Sequence, residues 1–181
     1  MRLFTAIELT EPVRASIAAE QTRIAESHGG GRRIRLVKPE QIHLTLVFIG
    51  EVAKERGAAI TALMERDIPM APFRISLGGI GAFPQRGAPR VLYVDIVEGA
   101  AATIELHALV AERLAQRDER PFRPHVTLGR WRDSRPSDRP KVSPWAPIGA
   151  LDVLSVTLFQ SRISSAGPAY TRLAAARLVC P

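Results

Sequence analysis

Two four-residue segments of the chain share a pattern that could carry out acid–base chemistry. Residues 43–46 read HLTL and residues 125–128 read HVTL, so two of the four histidines in the 181 residues precede a threonine at the same spacing. Imidazole groups titrate near neutral pH, so one histidine can accept a proton while another donates one. Threonine hydroxyls can donate hydrogen bonds to phosphate oxygens. Two such pairs around one small volume would suit in-line displacement at a phosphorus atom.

Both segments are apolar and β-branched enough to be buried strands. Side chains alternate along a strand, so His43 and Thr45 would face one side and the leucines between and after them the other. The second copy predicts the same for His125 and Thr127. A single copy is weak evidence, because a half-buried strand explains it equally well. Two copies, each with a proline four residues before its histidine, make function the better interpretation.

Other kinds of site have less support. The two histidines could bind a metal ion, but no HxxxH, DxH or cysteine pair completes a ligand set, and we predict neither a metal nor a cofactor. The segment GGIGAF (78–83) lacks the spacing of a nucleotide-binding loop and predicts a turn at the end of a strand. No GxSxG motif is present, and Cys180 lies in the C-terminal tail. We expect His28 at a helix end and His107 on a helix surface or partly packed.

The composition indicates a basic globular protein. Hydrophobic residues make up 46% of the chain, and the net charge of +7 favours anionic partners, nucleic acid first. Basic residues concentrate in 32–38 and 113–141, beside the two motifs, although a solvated arginine-rich surface is the alternative. No apolar run approaches the roughly 20 residues that span a bilayer. With a single cysteine and no secretion signal, we expect a cytoplasmic protein without membrane association.

The elements that must place the motifs alternate along the chain. The pattern predicts a helix that begins after Thr10 and ends near Ser27, with Val13, Ile17 and Ile24 as its buried stripe. Further helices are predicted at 52–67 and 100–117. Strands are predicted at 2–9, 34–37, 43–50, 73–80, 91–97, 125–131, 152–161 and 170–179, with a loop at 81–90. Each motif strand follows a strand–helix unit, which indicates two βαβ-like lobes with a cleft between them, in one domain over residues 1–181.

With the motifs and their surroundings in place, the chain resembles the 2H phosphoesterases, and within them the bacterial RNA 2′,3′-cyclic phosphodiesterases, also called 2′-5′ RNA ligases. The resemblance covers nearly the whole chain. It rests on RLFTAIEL (2–9), KPEQIHLTLVFIGEV (38–52), GAFP (81–84), PRVLYVDI (89–96), RPFRPHVTLGR (120–130) and the segment from Ser161 through Gly167-Pro168 to Tyr170. It implies a bilobal, pseudo-twofold α+β fold, in which two antiparallel sheets with outer helices enclose a central cleft.

The resemblance also implies an activity. The enzyme would hydrolyse a 2′,3′-cyclic phosphate at an RNA end to a 2′-phosphomonoester, without a metal ion, and 2′-5′ ligation would be the reverse reaction. His43 would donate a proton to the departing 3′ oxygen, and His125 would accept the proton of the attacking water. Thr45 and Thr127 would hold the phosphate oxygens. The expected partner is RNA with a cyclic phosphate end, with tRNA fragments, nucleotides or another small cyclic phosphate as candidates, and the expected state is a monomer.

Recognition beyond the phosphate is less defined in the sequence. Arg130 is at a position that is commonly basic in the family, and the resemblance implies that it could bind the phosphate and add charge stabilisation. Strict alternation turns it away from Thr127 unless the backbone bends at Gly129. Phe48, Phe83 and Tyr93 could stack a terminal base, with a place in the core as the alternative for each. The arginine-rich loop 130–141 could follow the RNA backbone. The rival function is a non-catalytic RNA- or nucleotide-binding module, against which the two complete His/Thr pairs argue.

Overall fold

The computed structural model describes residues 1–27, 34–117, 120–140, 147–164 and 167–181. Within these ranges the chain forms three α-helices and ten β-strands. The helices are α1 (Glu11–Ser27), α2 (Lys54–Met64) and α3 (Ala100–Arg113). The strands are β1 (Arg2–Glu8), β2 (Ile34–Leu36), β3 (His43–Glu51), β4 (Ile68–Pro69), β5 (Phe73–Phe83), β6 (Val91–Glu98), β7 (His125–Trp131), β8 (Pro147–Val153), β9 (Ser155–Ser164) and β10 (Gly167–Val179).

The strands form two five-stranded sheets, each with one motif strand. The first has the order β3-β1-β9-β10-β4 and the second the order β2-β7-β6-β5-β8. Neighbouring strands are antiparallel except for the short β4, which lies parallel to β10. The predicted α+β fold with two antiparallel sheets is therefore confirmed. The βαβ-like arrangement is wrong in one respect, because β1 pairs directly with β3, and β6 with β7, in antiparallel orientation.

The two lobes are not successive halves of the chain. The C-terminal hairpin of β9 and β10 completes the first sheet beside β1. Helix α1 lies between β1 and β3 in sequence, yet it packs against β8 of the second sheet. Helix α3 lies between β6 and β7, yet it packs against β3 of the first sheet. Each of these helices therefore lies in sequence between two strands of one sheet but packs against the other sheet.

The core confirms the alternation predicted for the motif strands. Leu44 and Leu46 of β3 and Val126 and Leu128 of β7 are almost fully buried and belong to one hydrophobic cluster. The predicted stripe of α1, formed by Val13, Ile17 and Ile24, is buried in the same cluster. The back faces of both motif strands are thus fixed by a common core, which leaves their histidines and threonines on the opposite side.

Two predicted boundaries are wrong for reasons that lie in strand pairing. The glycines of 78–81 form no turn, because β5 continues to Phe83 through a bulge at Gly79, which has a positive φ of 66°. The bulge changes the parity of the strand, so that Leu77 and Ala82 are both buried. The single strand predicted at 152–161 is two strands that meet at Leu154. The proline at the start of β8 is tolerated because β8 is an edge strand.

The ends of the other helices and strands lie closer to the predicted positions. Helices α2 and α3 are each a few residues shorter than predicted, and β10 begins three residues earlier. No helix in the described ranges is long and apolar enough to cross a membrane.

Candidate active site

The two motif strands present matching rows of side chains. Over the first seven residues of β3 and of β7, burial alternates in the same order, with each histidine and threonine half-buried and the residue between them buried. Although they belong to different sheets, β3 and β7 are in contact with each other. The repeated motif therefore corresponds to a repeated local structure, and the two copies lie on neighbouring strands.

A β-bulge follows the threonine in each motif strand. The pairing of β3 with β1 skips Leu46, and the pairing of β7 with β6 skips Leu128. An extra residue shifts the alternation of side chains by one position. Both leucines stay buried, and the third residue after each threonine, Phe48 or Arg130, turns to the side of the threonines. The bend that Arg130 requires is therefore present, one residue before Gly129.

Each histidine is held by the backbone two residues before it. Nδ1 of His43 lies 2.7 Å from the carbonyl oxygen of Gln41, and Nδ1 of His125 lies 2.7 Å from that of Arg123. A carbonyl oxygen can only accept a hydrogen bond, so each Nδ1 carries the hydrogen. Nε2 is then the nitrogen that exchanges a proton, accepting one in the neutral ring and donating one in the protonated ring. In both rings the Nδ1 hydrogen bond thus leaves Nε2 to act as a proton donor or acceptor.

His43 is enclosed by aromatic rings of the first sheet. Its ring stacks on Phe4, with centroids 4.9 Å apart, and meets Tyr170 nearly perpendicularly at 5.4 Å. Glu8 is its cross-strand neighbour in β1. The imidazole is therefore immobilised by packing on one side and lies next to a carboxylate on the other.

His125 has a similar enclosure in the second sheet. Its ring meets Phe83 at 5.2 Å and Tyr93 at 5.6 Å between centroids, edge-on in both cases. Asp95 of β6 is its cross-strand neighbour, at the position that corresponds to Glu8 in the first lobe. Each histidine thus has two aromatic neighbours and one carboxylate on the adjacent strand.

The charges around the two rings differ. Burial lowers the pKa of His43 below its ordinary value, and its backbone hydrogen bond and then the Glu8 carboxylate oppose this decrease. Burial also lowers the pKa of His125, against its own backbone hydrogen bond; the Arg130 guanidinium lowers that pKa further, and Asp95 raises it. Burial therefore favours the neutral form of both rings, and a carboxylate partly offsets this at each, whereas the positive charges of Arg130 and Arg123 add to it at His125.

A cavity of about 320 Å³ opens on the side to which the threonines point. Thr45 and Thr127 line it together with His43, Phe48 and Arg130, so five of the predicted site residues meet at one volume. The first sheet contributes further lining residues, among them Arg2, Phe4, Ile163 and Tyr170, and Gln41 lies in the turn before β3. His125, Phe83 and Tyr93 are not among the lining residues. In the part of the chain that the structure describes, no three His, Cys, Asp or Glu side chains cluster as metal ligands.

The three candidates for base stacking have different surroundings. Phe48 is 54% exposed, lines the cavity, and lies under the Arg2 guanidinium at 5.0 Å. Phe83 is half-buried, with the Arg123 guanidinium 5.3 Å from its ring centre. Tyr93 is only 6% exposed and stacks on Phe83 at 4.2 Å, so it forms part of the wall behind His125 and presents no accessible face to a base. The stacking role predicted for Tyr93 does not fit this position.

Only part of the two basic segments lies at the cavity among the described residues. Arg130 lines the cavity, and Arg35 lies opposite it in the pairing of β2 with β7. Arg132 and Arg135 are exposed, whereas Arg139 donates to the carbonyl oxygens of Ala82, Pro84 and Gly87 and so holds the loop after β5. His28, Arg32, Arg33 and Lys141 lie outside the described residues.

Several neighbours of the histidines were missed by the sequence predictions. Phe4 and Tyr170 enclose His43, yet they come from β1 and β10, whose pairing the sequence does not reveal. Glu8 had a usable signal, because in each of the two equivalent units an acidic residue, Glu8 or Asp95, lies among the last four residues of the strand that precedes a helix. An acidic residue at the same place in both units indicates a shared role beside the two histidines.

Known proteins agree with this geometry. The model of the 2′-5′ RNA ligase superfamily matches residues 12–159. A protein of Archaeoglobus fulgidus named RNA 2′,3′-cyclic phosphodiesterase is 32% identical, over 96% of this chain and 98% of its own. One of the same name from Thermus thermophilus is 37% identical, over 96% and 88%. The crystal structure of E. coli LigT with 3′-AMP has a TM-score of 0.76 at 28% identity, over 98% of each chain. The chain therefore belongs to the 2′-5′ RNA ligase superfamily.

Proposed function

We propose that this protein is an RNA 2′,3′-cyclic phosphodiesterase that opens the cyclic phosphate at an RNA end to a 2′-phosphomonoester. One observation carries the proposal. A histidine fixed through Nδ1 and a threonine two residues later occur on two contacting strands, and both threonines line a single cavity. The relatives named for this activity match the chain over nearly its whole length, which supports the same chemistry here.

The two histidines would share the proton transfers of ring opening. In the proposed reaction, water attacks the phosphorus atom while Nε2 of His125 takes its proton. The bond from phosphorus to the 3′ oxygen breaks as Nε2 of His43 donates a proton to that oxygen. The products are a 2′-phosphate and a free 3′ hydroxyl, and the histidines have exchanged their protonation states. Water then restores them, so no metal ion is required in this scheme.

The charges around the two histidines support an assignment of acid and base. Burial lowers the pKa of His43, and its backbone hydrogen bond and the Glu8 carboxylate partly offset this decrease, which supports the proton-carrying form that a donor needs. The Arg130 guanidinium lowers the pKa of His125 and so favours the neutral form that an acceptor needs. The same reasoning agrees with the roles that the family resemblance implies.

The phosphate would be held by neutral donors on both sides and by one charge. The hydroxyls of Thr45 and Thr127 line the cavity from the two sheets and can donate to the two non-bridging oxygens. Arg130 lies on the same side of β7 as Thr127 because of the bulge, where its charge can stabilise the phosphorane-like transition state.

We infer that the substrate is an oligonucleotide end rather than a cyclic mononucleotide. Arg35 of β2 and Arg130 of β7 are directly paired on adjacent strands, and like charges in directly opposite positions repel each other. Neither forms an ion pair with a described residue. Arg2 lines the same cavity. A backbone phosphate of the preceding nucleotide would offset this repulsion, while the exposed ring of Phe48 could stack the terminal base.

The direct test uses an end-labelled oligoribonucleotide with a 2′,3′-cyclic phosphate, incubated with the protein in EDTA. We expect conversion to the 2′-phosphate, resolved from the 3′-phosphate by chromatography against standards. His43→Ala and His125→Ala should each abolish the conversion while circular dichroism confirms that they fold. Lys54→Ala, an exposed basic residue at the start of α2 and outside the cavity lining, is the matched control and should retain the activity.

Each contrary result identifies a different error. If the protein binds the RNA but leaves the ring intact, it is a binding module. If EDTA removes the activity, the metal-free scheme is wrong. If a 2′,3′-cyclic mononucleotide reacts with the same kcat/KM as the oligonucleotide, the subsite for a second phosphate does not exist, although the ring-opening activity stands.

A further inference from the structure

Two buried polar side chains lie on helices outside the cavity. Gln21 is 4% exposed and occupies the buried stripe of α1 between Ile17 and Ile24. His107 is 9% exposed and lies in the buried face of α3, which corrects the expectation of a surface or partly packed residue. Buried polar groups are costly unless hydrogen-bonded, so their partners indicate why they are there.

Both side chains bind the carbonyl of a bulge residue in a motif strand. Nε2 of Gln21 donates to the carbonyl oxygen of Leu128 at 2.9 Å and to that of Val37 at 2.8 Å. Nδ1 of His107 lies 3.0 Å from the carbonyl oxygen of Leu46, to which it must be the donor. Leu46 and Leu128 are the residues that the strand pairing skips. Each bulge therefore has one helix side chain fixed to it.

The connections cross between the lobes. Helix α1 follows β1 of the first sheet, but its Gln21 holds the bulge of the second motif. Helix α3 follows β6 of the second sheet, but its His107 holds the bulge of the first motif. The His107 ring also stacks on Phe122 at 4.0 Å, next to the residue whose carbonyl binds Nδ1 of His125.

We propose that Gln21 and His107 are positioning residues, which fix the two bulges and thereby the directions of the groups on either side of them. In β3 the bulge separates Thr45 from Phe48, and in β7 it separates Thr127 from Arg130. The orientation of the bulge peptide sets the directions in which the threonine before the bulge and the residue after it point. An error of about 1 Å in the position of such groups can cost 100-fold in rate. The inference rests on the proposed function, because it concerns the groups assigned there to the phosphate.

The first experiment compares variants that keep or lose the donor. Gln21→Met has a similar shape without the amide, and we expect kcat to fall about tenfold or more with KM changed less than about threefold. His107→Leu should behave likewise. His107→Asn places an amide nitrogen near the original Nδ1 and should recover most of the loss. Thr103→Val, one turn earlier in α3, is the matched control, because its buried hydroxyl donates to the carbonyl oxygen of Gly99 at the start of the same helix and, among the described residues, to no motif strand. It should change thermal stability and leave kcat unchanged.

A double-mutant cycle tests the crossed assignment. Gln21→Met should have little further effect when Thr127 is already valine, and its full effect when Thr45 is valine. His107→Leu should show the opposite dependence. Folded variants with wild-type kcat, equal rates for His107→Asn and His107→Leu, or an uncrossed pattern in the cycle would each overturn the proposal. A wild-type protein that does not open the ring would instead overturn the proposed function.

Discussion

The two motif strands share one backbone design and differ in what surrounds it. Both have a histidine fixed through Nδ1, a threonine two residues later, a bulge, and a carboxylate on the adjacent strand. His43 stacks flat on Phe4, whereas His125 meets its aromatic neighbours edge-on and has Arg130 nearby. A repeated fold therefore provides equal geometry, and the neighbouring side chains assign the unequal chemistry.

The largest difference lies at the position after the bulge. In the first lobe this position is Phe48, an exposed aromatic ring, and in the second it is Arg130, a charge. The equivalent backbone thus presents a surface for a base on one wall and a counter-charge for a phosphate on the other. The comparison supports the proposal that the first wall of the cavity, formed by β3, would bind the nucleoside and the second wall, formed by β7, would stabilise the reacting phosphate.

The strongest test of this comparison separates the two histidines by the leaving group. His43→Ala and His125→Ala should each lower kcat roughly 10²–10⁴-fold on the natural cyclic phosphate. A substrate with sulfur in place of the bridging 3′ oxygen has a leaving group that departs without a proton. We expect this substrate to restore much of the rate of His43→Ala and little of that of His125→Ala, as measured by product formation at saturating substrate.

If the sulfur substrate restores the rate of His125→Ala instead, His125 is the proton donor and His43 the acceptor. Rescue of both, or of neither, would mean that the walls do not divide acid and base between them. Wild-type protein with the sulfur substrate is the control for any intrinsic change in reactivity.

The next test compares the residues after the two bulges. Arg130→Ala should lower kcat about 100-fold, because it removes a charge that acts on the transition state. Phe48→Ala should instead raise KM about tenfold with a small change in kcat, because base stacking contributes about 1–3 kcal/mol to substrate binding. Steady-state kinetics with the oligonucleotide separates these outcomes.

Conservative variants sharpen that result. Phe48→Leu keeps an apolar side chain without a ring, and Arg130→Lys keeps the charge without the planar guanidinium. If Phe48→Leu has the KM of the wild type, contact area and not stacking explains Phe48. If Phe48→Ala and Arg130→Ala change the same kinetic constant, the two walls have a common role and the comparison fails.

The sequence predicted much of the site because the motif depends on local spacing. Alternation along a strand was enough to place His43 with Thr45 on one face and Leu44 in the core, and the same holds for the second copy. The bulges could not be predicted, because which residue is skipped is decided by the partner strand. Strict alternation therefore assigned Arg130 to the wrong face, and a bend at the adjacent Leu128 corrects it.

Long-range contacts account for the other omissions. Gln21 interrupts an apolar helical stripe, which signals a buried hydrogen bond, but its acceptor on Leu128 lies 107 residues further along the chain. The C-terminal hairpin joins the first sheet, so Tyr170 reaches His43 from a segment that sequence order places far from it. Local patterns fix the class of fold and the motif residues, whereas the neighbours that tune them depend on the topology.

The smallest expected effect concerns the pH dependence of the two walls. Glu8 raises the pKa of His43, so Glu8→Gln should lower that pKa, and the protonated donor is then lost at a lower pH. The basic limb of kcat/KM should move to lower pH. Arg130 lowers the pKa of His125, so Arg130→Gln should raise that pKa and move the acidic limb to higher pH. Profiles at constant ionic strength measure both limbs. Glu8→Gln should therefore narrow the pH profile from the basic side, and Arg130→Gln should narrow it from the acidic side. If either variant moves the other limb instead, the assignment of donor and acceptor is reversed.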